Sequence, residues 1–230
     1  MKLLICLCVL LWMMPPAFAQ DATALVQKVK AKLDQVNDYQ AEGRMKIDVS
    51  FIDASPSKVT IYYKKPDKFK VKKEGGISLL PKGGISINLG TLLAGGNYDV
   101  VPSKDANVSG VPVKVVRLLP TDDNGDVMLT TLYIEEKKLV IRKATVTTRG
   151  SGTYDILLSY GRYANWGLPD RVVFSFDTKD YKLPKGITFE YEKGGTKKED
   201  PNKSKKGSVE ITYSSYTINK GVDDKVFSGQ

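Results

Sequence analysis

The sequence predicts an α+β domain, one amphipathic N-terminal helix followed by a large curved antiparallel sheet with an apolar inner face. Two observations carry this. Over residues 22–36, Leu25, Val29, Leu33 and Val36 recur at helical spacing, with Lys28, Lys30 and Lys32 falling elsewhere. Beyond them the chain alternates apolar and polar residues in short runs joined by tight-turn sequences. Such links suit neighbouring antiparallel strands, because parallel strands need long crossovers.

The elements follow in order. Residue Lys2 precedes the apolar run LLICLCVLLWMM and then PPAFAQ, which together read as a secretory signal peptide with an A-x-A cleavage site. Residues 1–19 are therefore expected to be removed after Ala19, leaving residues 20–230 as a single soluble domain. The apolar run is shorter than the roughly 20 residues of a membrane span. Asp21 is the expected N-cap of the helix, and Asn37 and Asp38 end it. In the first strand Met45, Ile47, Val49 and Phe51 face one way, and Arg44, Lys46, Asp48 and Ser50 the other. Val59, Ile61 and Tyr63 form the next strand. KKPDKFKVK (64–72) then sets Lys68, Lys70 and Lys72 opposite Phe69 and Val71, with the lysines read as a solvated outer face. Further strands are expected in VPVKVVRLL, VMLTTLYIE, KLVIRKATVTT, TYDILLSY, RVVFSF, ITFEYE and SVEITYSSYTI, about ten in all.

Two segments break the alternation. Residues 75–112 are rich in glycine and proline yet hold the apolar patch ISINLGTLLAG, where Leu89, Leu92 and Leu93 suit one helical turn. An apolar loop of this kind plugs or touches something. The lysine-rich stretch 192–207 reads as the tip of a hairpin.

Composition excludes much chemistry. The chain has no histidine, and its two cysteines, Cys6 and Cys8, lie in the leader. The processed domain would lack histidine and cysteine nucleophiles, bases and zinc ligands. The pairs Glu135-Glu136 and Asp223-Asp224 are sequence neighbours, which point apart on a strand and cannot flank one bond. DDNGD (122–126) has Gly125 where no calcium loop requires it and reads as a hairpin turn. Asn107-Val108-Ser109 is a glycosylation triplet of little weight. Tyr62, Tyr63, Tyr160, Tyr163, Trp166, Tyr213 and Tyr216 fit cross-strand packing better than sugar stacking. No catalytic residue, metal or cofactor is expected. Formal net charge is +9, or +8 without Lys2. In an exported protein that favours a solvated face or an anionic surface over nucleic acid.

The order of VNDYQAEGRMKI, KKPDKFKVK, the glycine-rich centre, GVPVKVVRLLP, TLYIEEKKLVIRKA, TYDILLSYGRY and ITYSSYTINKGVDDKVF resembles the periplasmic outer-membrane lipoprotein carrier LolA and its superfamily, LolB included. The resemblance runs over essentially the whole processed chain. It implies an incomplete β-barrel whose mouth is closed by the helix and the short helical loop, and a monomeric periplasmic carrier. Its cargo would be the acyl chains of a lipoprotein or a related amphiphilic lipid, with inner- and outer-membrane transport partners. Strand parity and the resemblance together nominate Leu33, Met45, Ile47, Ile61, Phe69, Leu92, Leu118, Leu132 and Ile156 as cavity lining, with the helix and residues 89–93 as lids. A sensor module on the same scaffold, or a structural sandwich with a filled core, remains the alternative.

Overall fold

A computed structural model describes residues 17–49, 55–73, 93, 97–122, 125–150, 152–177 and 206–228. Helix α1 spans Ala17–Leu33. Its buried side chains are Ala22, Leu25, Val26 and Val29, the apolar stripe that the spacing anticipates. The predicted N-cap is corrected: Asp21 lies within the helix. The residues after Pro16 contain no helix breaker, so the helix begins at Ala17. At the other end the chain leaves the helix after Leu33 through tight turns, Gln35 N donating to Lys32 O at 3.3 Å and Val36 N to Leu33 O at 3.1 Å. Val36 is nonetheless buried, because the turn keeps it on the same face.

Ten antiparallel strands form one sheet: β1 (Asp38–Asp48), β2 (Ser57–Lys64), β3 (Lys68–Lys73), β4 (Tyr98–Val108), β5 (Val111–Pro120), β6 (Val127–Glu135), β7 (Val140–Thr148), β8 (Gly152–Ser159), β9 (Arg171–Asp177) and β10 (Lys206–Ile218). Their spatial order is β3-β2-β1-β10-β9-β8-β7-β6-β5-β4, with β3 and β4 at its two ends among the described residues. The architecture is an α+β incomplete barrel. All neighbours but one are joined by consecutive connections; the exception pairs the first strand with the last. Curvature shows in the core, where Val59 and Ile61 of β2 and Tyr98 and Val100 of β4 pack into one cluster with Val26 and Val29 of α1. Those strands stand near opposite edges, so the sheet curls around the helix.

Strand β4 and its hairpin to β5 occupy part of the glycine- and proline-rich segment 75–112. Strand β4 carries Pro102, Lys104 and Asp105, and its residues are all exposed or half-buried. That is edge-strand chemistry, and it hides the alternation. The glycosylation triplet sits at this hairpin: Ser109 and Gly110 take positive φ (51° and 83°), and Asn107 Oδ1 accepts from Gly110 N at 2.7 Å. The expected strand ITFEYE, most of the 192–207 tip, and Leu89 and Leu92 lie outside the described residues. Strand β10 begins at Lys206.

One bulge decides which side chains face inward. Glu42 pairs with Ser215 and Gly43 with Tyr213, so Ser214 is an extra residue in β10. Ile211 and Tyr213 are buried on one side of it, and Tyr216 and Ile218 pack into the core on the other. The side-chain parity thus inverts along one strand. A Cβ on Gly43 would stand 2.6 Å from Thr212 O, so glycine is required there. The bulge's polar groups are satisfied: Ser214 Oγ donates to Glu42 O at 3.0 Å, and Arg162 Nη2 donates to Ser214 O at 2.7 Å.

Candidate functional site: the inner face of the sheet and its helix

Met45 and Ile47 on β1, Ile61 on β2, Leu118 on β5, Leu132 on β6 and Ile156 on β8 belong to one buried cluster beneath α1, and Leu33 and Phe69 pack against it half-buried. Leu92 lies outside the described residues. Its neighbour Leu93 is helical and buried in the same cluster. The structure therefore brings together eight of the nine nominated side chains. Met45, Ile61, Leu132 and Ile156 are at most 1% exposed, so water does not reach them, and the interior is closed around these four. Leu33 is the last helical residue and rests on Gly167 in the link between β8 and β9.

At the end of the sheet where α1 gives way to β1, tyrosines from four elements meet. Tyr39 at the start of β1 is 5.3 Å, ring to ring, from Tyr63 at the end of β2 and 5.3 Å from Tyr216 near the end of β10. Tyr216 in turn lies 4.8 Å from Tyr163 and 5.0 Å from Tyr213. Ring edges meet ring faces in the Tyr39–Tyr216 and Tyr163–Tyr216 pairs, the arrangement the ring quadrupole prefers. The Tyr216 hydroxyl donates to Pro169 O at 2.8 Å. Burial pushes the Tyr39, Tyr213 and Tyr216 hydroxyls well above the ordinary tyrosine range, which keeps them neutral. These rings pack against one another, as the strand propensity of tyrosine suggests.

Polar contacts fasten the C-terminal end of the helix to the sheet. Lys32 Nζ donates to Lys138 O in the β6–β7 turn at 2.6 Å. Lys65, in the β2–β3 turn, donates to Asp34 O. Asn219, just after β10, bridges the link to β1: its Oδ1 accepts from Asn37 N at 2.7 Å and its Nδ2 donates to Gln35 O at 2.8 Å. Below this anchor Glu135, 8% exposed, accepts from Arg142 Nε at 2.6 Å. The Arg142 guanidinium also lies over the Tyr160 ring at 5.6 Å. Burial pushes the Tyr160 hydroxyl up as well, and it donates to Ile141 O at 3.0 Å. Sequence reasoning missed this anchor, since its parts are 100 or more residues apart in several cases. Glu135-Glu136 was legible only as a pair, not as one buried and one exposed carboxylate.

The lysines of 64–72 also need correction. They do more than solvate a face. Lys64 and Lys68 pair with Asp224 Oδ1 at 2.8 and 3.0 Å, Lys64 Nζ donates to Val222 O at 3.2 Å, and Lys70 Nζ donates to Ser228 O at 3.2 Å. They hold residues 222–228 along the β3 edge, with Val222 and Phe227 buried beneath. The acidic pair Asp223-Asp224 was the available signal: Asp224 takes the lysines, while Asp223 caps the 3-10 turn Asp224–Phe227 by accepting from Lys225 N.

No metal-holding cluster of carboxylates, histidines or cysteines occurs among the described residues, and no helix among them is long and apolar enough to cross a membrane.

No family model matches the chain, and no curated relative is found. Solved structures do match. The chain is similar to a domain assigned as an outer membrane lipoprotein-sorting protein in Vibrio parahaemolyticus, with a TM-score of 0.58 and 13% identity over 91% of this chain and 97% of that one. It is also similar to a DUF1329 family protein from Desulfovibrio piger, with a TM-score of 0.56 and 11% identity over 92% of this chain and 98% of that one. A LolA superfamily protein from Nitrosomonas europaea aligns at a TM-score of 0.48 and 13% identity, over 88% of this chain and 97% of that one. The chain has a LolA-like fold.

Proposed function

We propose that this protein is a periplasmic carrier that takes the acyl chains of lipoproteins, or of a related amphiphilic lipid, between α1 and the inner face of the sheet. The observation that carries the reading is the joint of helix and sheet. The apolar stripe of α1, Ala22, Leu25, Val26 and Val29, is buried in the same cluster as the apolar inner face of the sheet. Apolar contacts are non-directional, so a helix held on them can exchange them for an acyl chain. Likeness in fold to a lipoprotein-sorting domain supports the reading. Leu33, Met45, Ile47, Ile61, Phe69, Leu92, Leu118, Leu132 and Ile156 would then meet the acyl chain, and the closed interior would be the unloaded state. Each buried CH2 contributes about 0.8 kcal/mol, so one long chain brings on the order of 10 kcal/mol. That gain can replace the contacts α1 gives up. Export with cleavage after Ala19 and exchange with membrane partners belong to the same reading. It needs no catalytic step, in keeping with a chain that has no histidine.

The near-complete burial of Met45, Ile61, Leu132 and Ile156 also favours a second reading, a structural domain whose filled core never opens. Native mass spectrometry of protein recovered from the periplasm decides between them. A carrier yields a population heavier by the mass of a lipid, released on collisional activation. Protein of bare mass that also fails to bind a fluorescent fatty-acyl probe would leave the structural reading.

A further inference from the structure

The outer face of β1–β3 points away from α1 and, among the described residues, carries more basic than acidic side chains. Arg44 on β1 stands directly opposite Lys58 on β2, a like-charge pair at about 5 Å between Cβ atoms that costs stability in an isolated sheet. Lys46 lies two residues along β1, about 7 Å away on the same face. Lys72 faces Thr60 across β2–β3 and is thereby diagonal to Lys58. All four side chains are exposed. Two of the carboxylates nearby are paired with other cations. Asp224 is taken by Lys64 and Lys68, and Glu210, opposite Lys46, is held at 2.7 and 2.8 Å by Arg171. Glu42, which accepts from the Thr60 hydroxyl at 3.2 Å, and Asp48, beyond Lys46, offset two of the four charges. Tyr62 sits at the margin of the group between Lys72 and Lys70, half-buried, its ring 5.2 Å from Lys72 Nζ.

We propose that this face is a docking surface for a membrane that carries anionic phospholipid, engaged through Arg44, Lys46, Lys58 and Lys72. The four groups stand on three strands of a sheet face and surround no concavity, so they suit a diffuse plane of negative charge rather than one bound anion. A tyrosine between basic side chains fits the headgroup layer. A protein partner would call for an apolar anchor at the centre, and the described residues that share the face with these cations are Glu42 and Thr60, with the half-buried Tyr62 at the margin. Negative charge arriving at this face eases the repulsion between Arg44 and Lys58. The surface lies on the opposite side of the sheet from the helix, so the inference goes beyond the carrier reading and is tested apart from it.

The test is co-sedimentation of the full chain with vesicles of phosphatidylcholine, with and without phosphatidylglycerol, at low and high salt. The leader contributes equally to every variant compared. Binding is expected to need phosphatidylglycerol and to fall with salt. The variant R44Q/K46Q/K58Q/K72Q should lose at least about tenfold in binding. A control of equal charge, K28Q/K104Q/K137Q/K220Q, replaces four exposed lysines elsewhere and should bind nearly as the parent does. Melting temperatures of both variants establish that they are folded. Equal losses in the two variants, or equal binding to neutral and anionic vesicles, would overturn the proposal. So would binding to polyglutamate in place of vesicles, which would point to an acidic protein partner.

Discussion

Gly167 shows how much one residue decides at the foot of the helix. It takes φ = 70°, and a Cβ there would stand 2.9 Å from Leu33 Cδ2. Gly167→Ala therefore meets both a backbone cost of about 1–2 kcal/mol for the left-handed conformation and a collision with the last side chain of α1. Urea denaturation of Gly167→Ala, Leu33→Ala and the double variant separates the two. The double variant should lose less than the sum of the singles, because truncating Leu33 removes the collision and leaves only the backbone cost. Strict additivity would mean that Leu33 does not rest on Gly167. Glu135 makes a second case. Its carboxylate is held by Arg142, and Lys138 stands farther off at 3.4 Å from its other oxygen. Arg142→Leu should destabilise by roughly 3 kcal/mol, since it strands a buried charge. Replacing both partners by apolar residues should cost much less. A loss below about 1 kcal/mol in the single variant would show that the pair behaves as a solvated one.

At the scale of elements, the sheet depends on a bulge and on a C-terminal strap. Gly43→Ala should cost about 1–3 kcal/mol, because Thr212 O is a backbone atom that cannot turn aside. The check is loss of amide protection at the β1–β10 pairing while β6 and β7 keep theirs. The strap answers to pH. Hydrogen bonds from Lys64 and Lys68 hold the Asp224 carboxyl below the ordinary aspartate range. A folded pKa below the unfolded one means that the contact is fully present above the unfolded value and is lost as pH falls through the folded one. Protection factors of the Val226 and Ser228 amides should then be level from neutral pH down to the ordinary carboxylate range and drop beneath it. In Asp224→Asn they should be lower throughout and lack that step. These devices also mark what the sequence made legible. Alternation around Met45, Ile61, Leu132 and Ile156 revealed most strands and the buried side of each, because one face of an antiparallel sheet must be apolar. The β1–β10 pairing joins residues more than 150 apart and leaves no local trace. The β10 bulge inverts parity without any turn residue to announce it. Strand β4 escaped because an edge strand buries too little to alternate.

For the molecule as a whole, an interior that opens for an acyl chain and one that stays shut differ in what the helix can give up. Leu33, nominated from the sequence as cavity lining, lies at the C-terminal end of the helix against Gly167, where a larger side chain would meet that backbone in either case. Val29, one turn earlier on the same stripe and 1% exposed, is the better reporter. If the core is filled and permanent, Val29→Trp overpacks it and destabilises by about 1–3 kcal/mol, and no acyl probe binds before or after the change. In a carrier, α1 already rides on contacts that it can exchange for cargo. The indole then props the helix from the sheet and takes the place of methylene groups. The expected result is a melting temperature within a few degrees of the parent and a fluorescent fatty-acyl probe that binds the parent but not the variant. Probe binding that survives Val29→Trp unchanged would put the acyl site away from the helix, and the lid role of α1 would have to be given up.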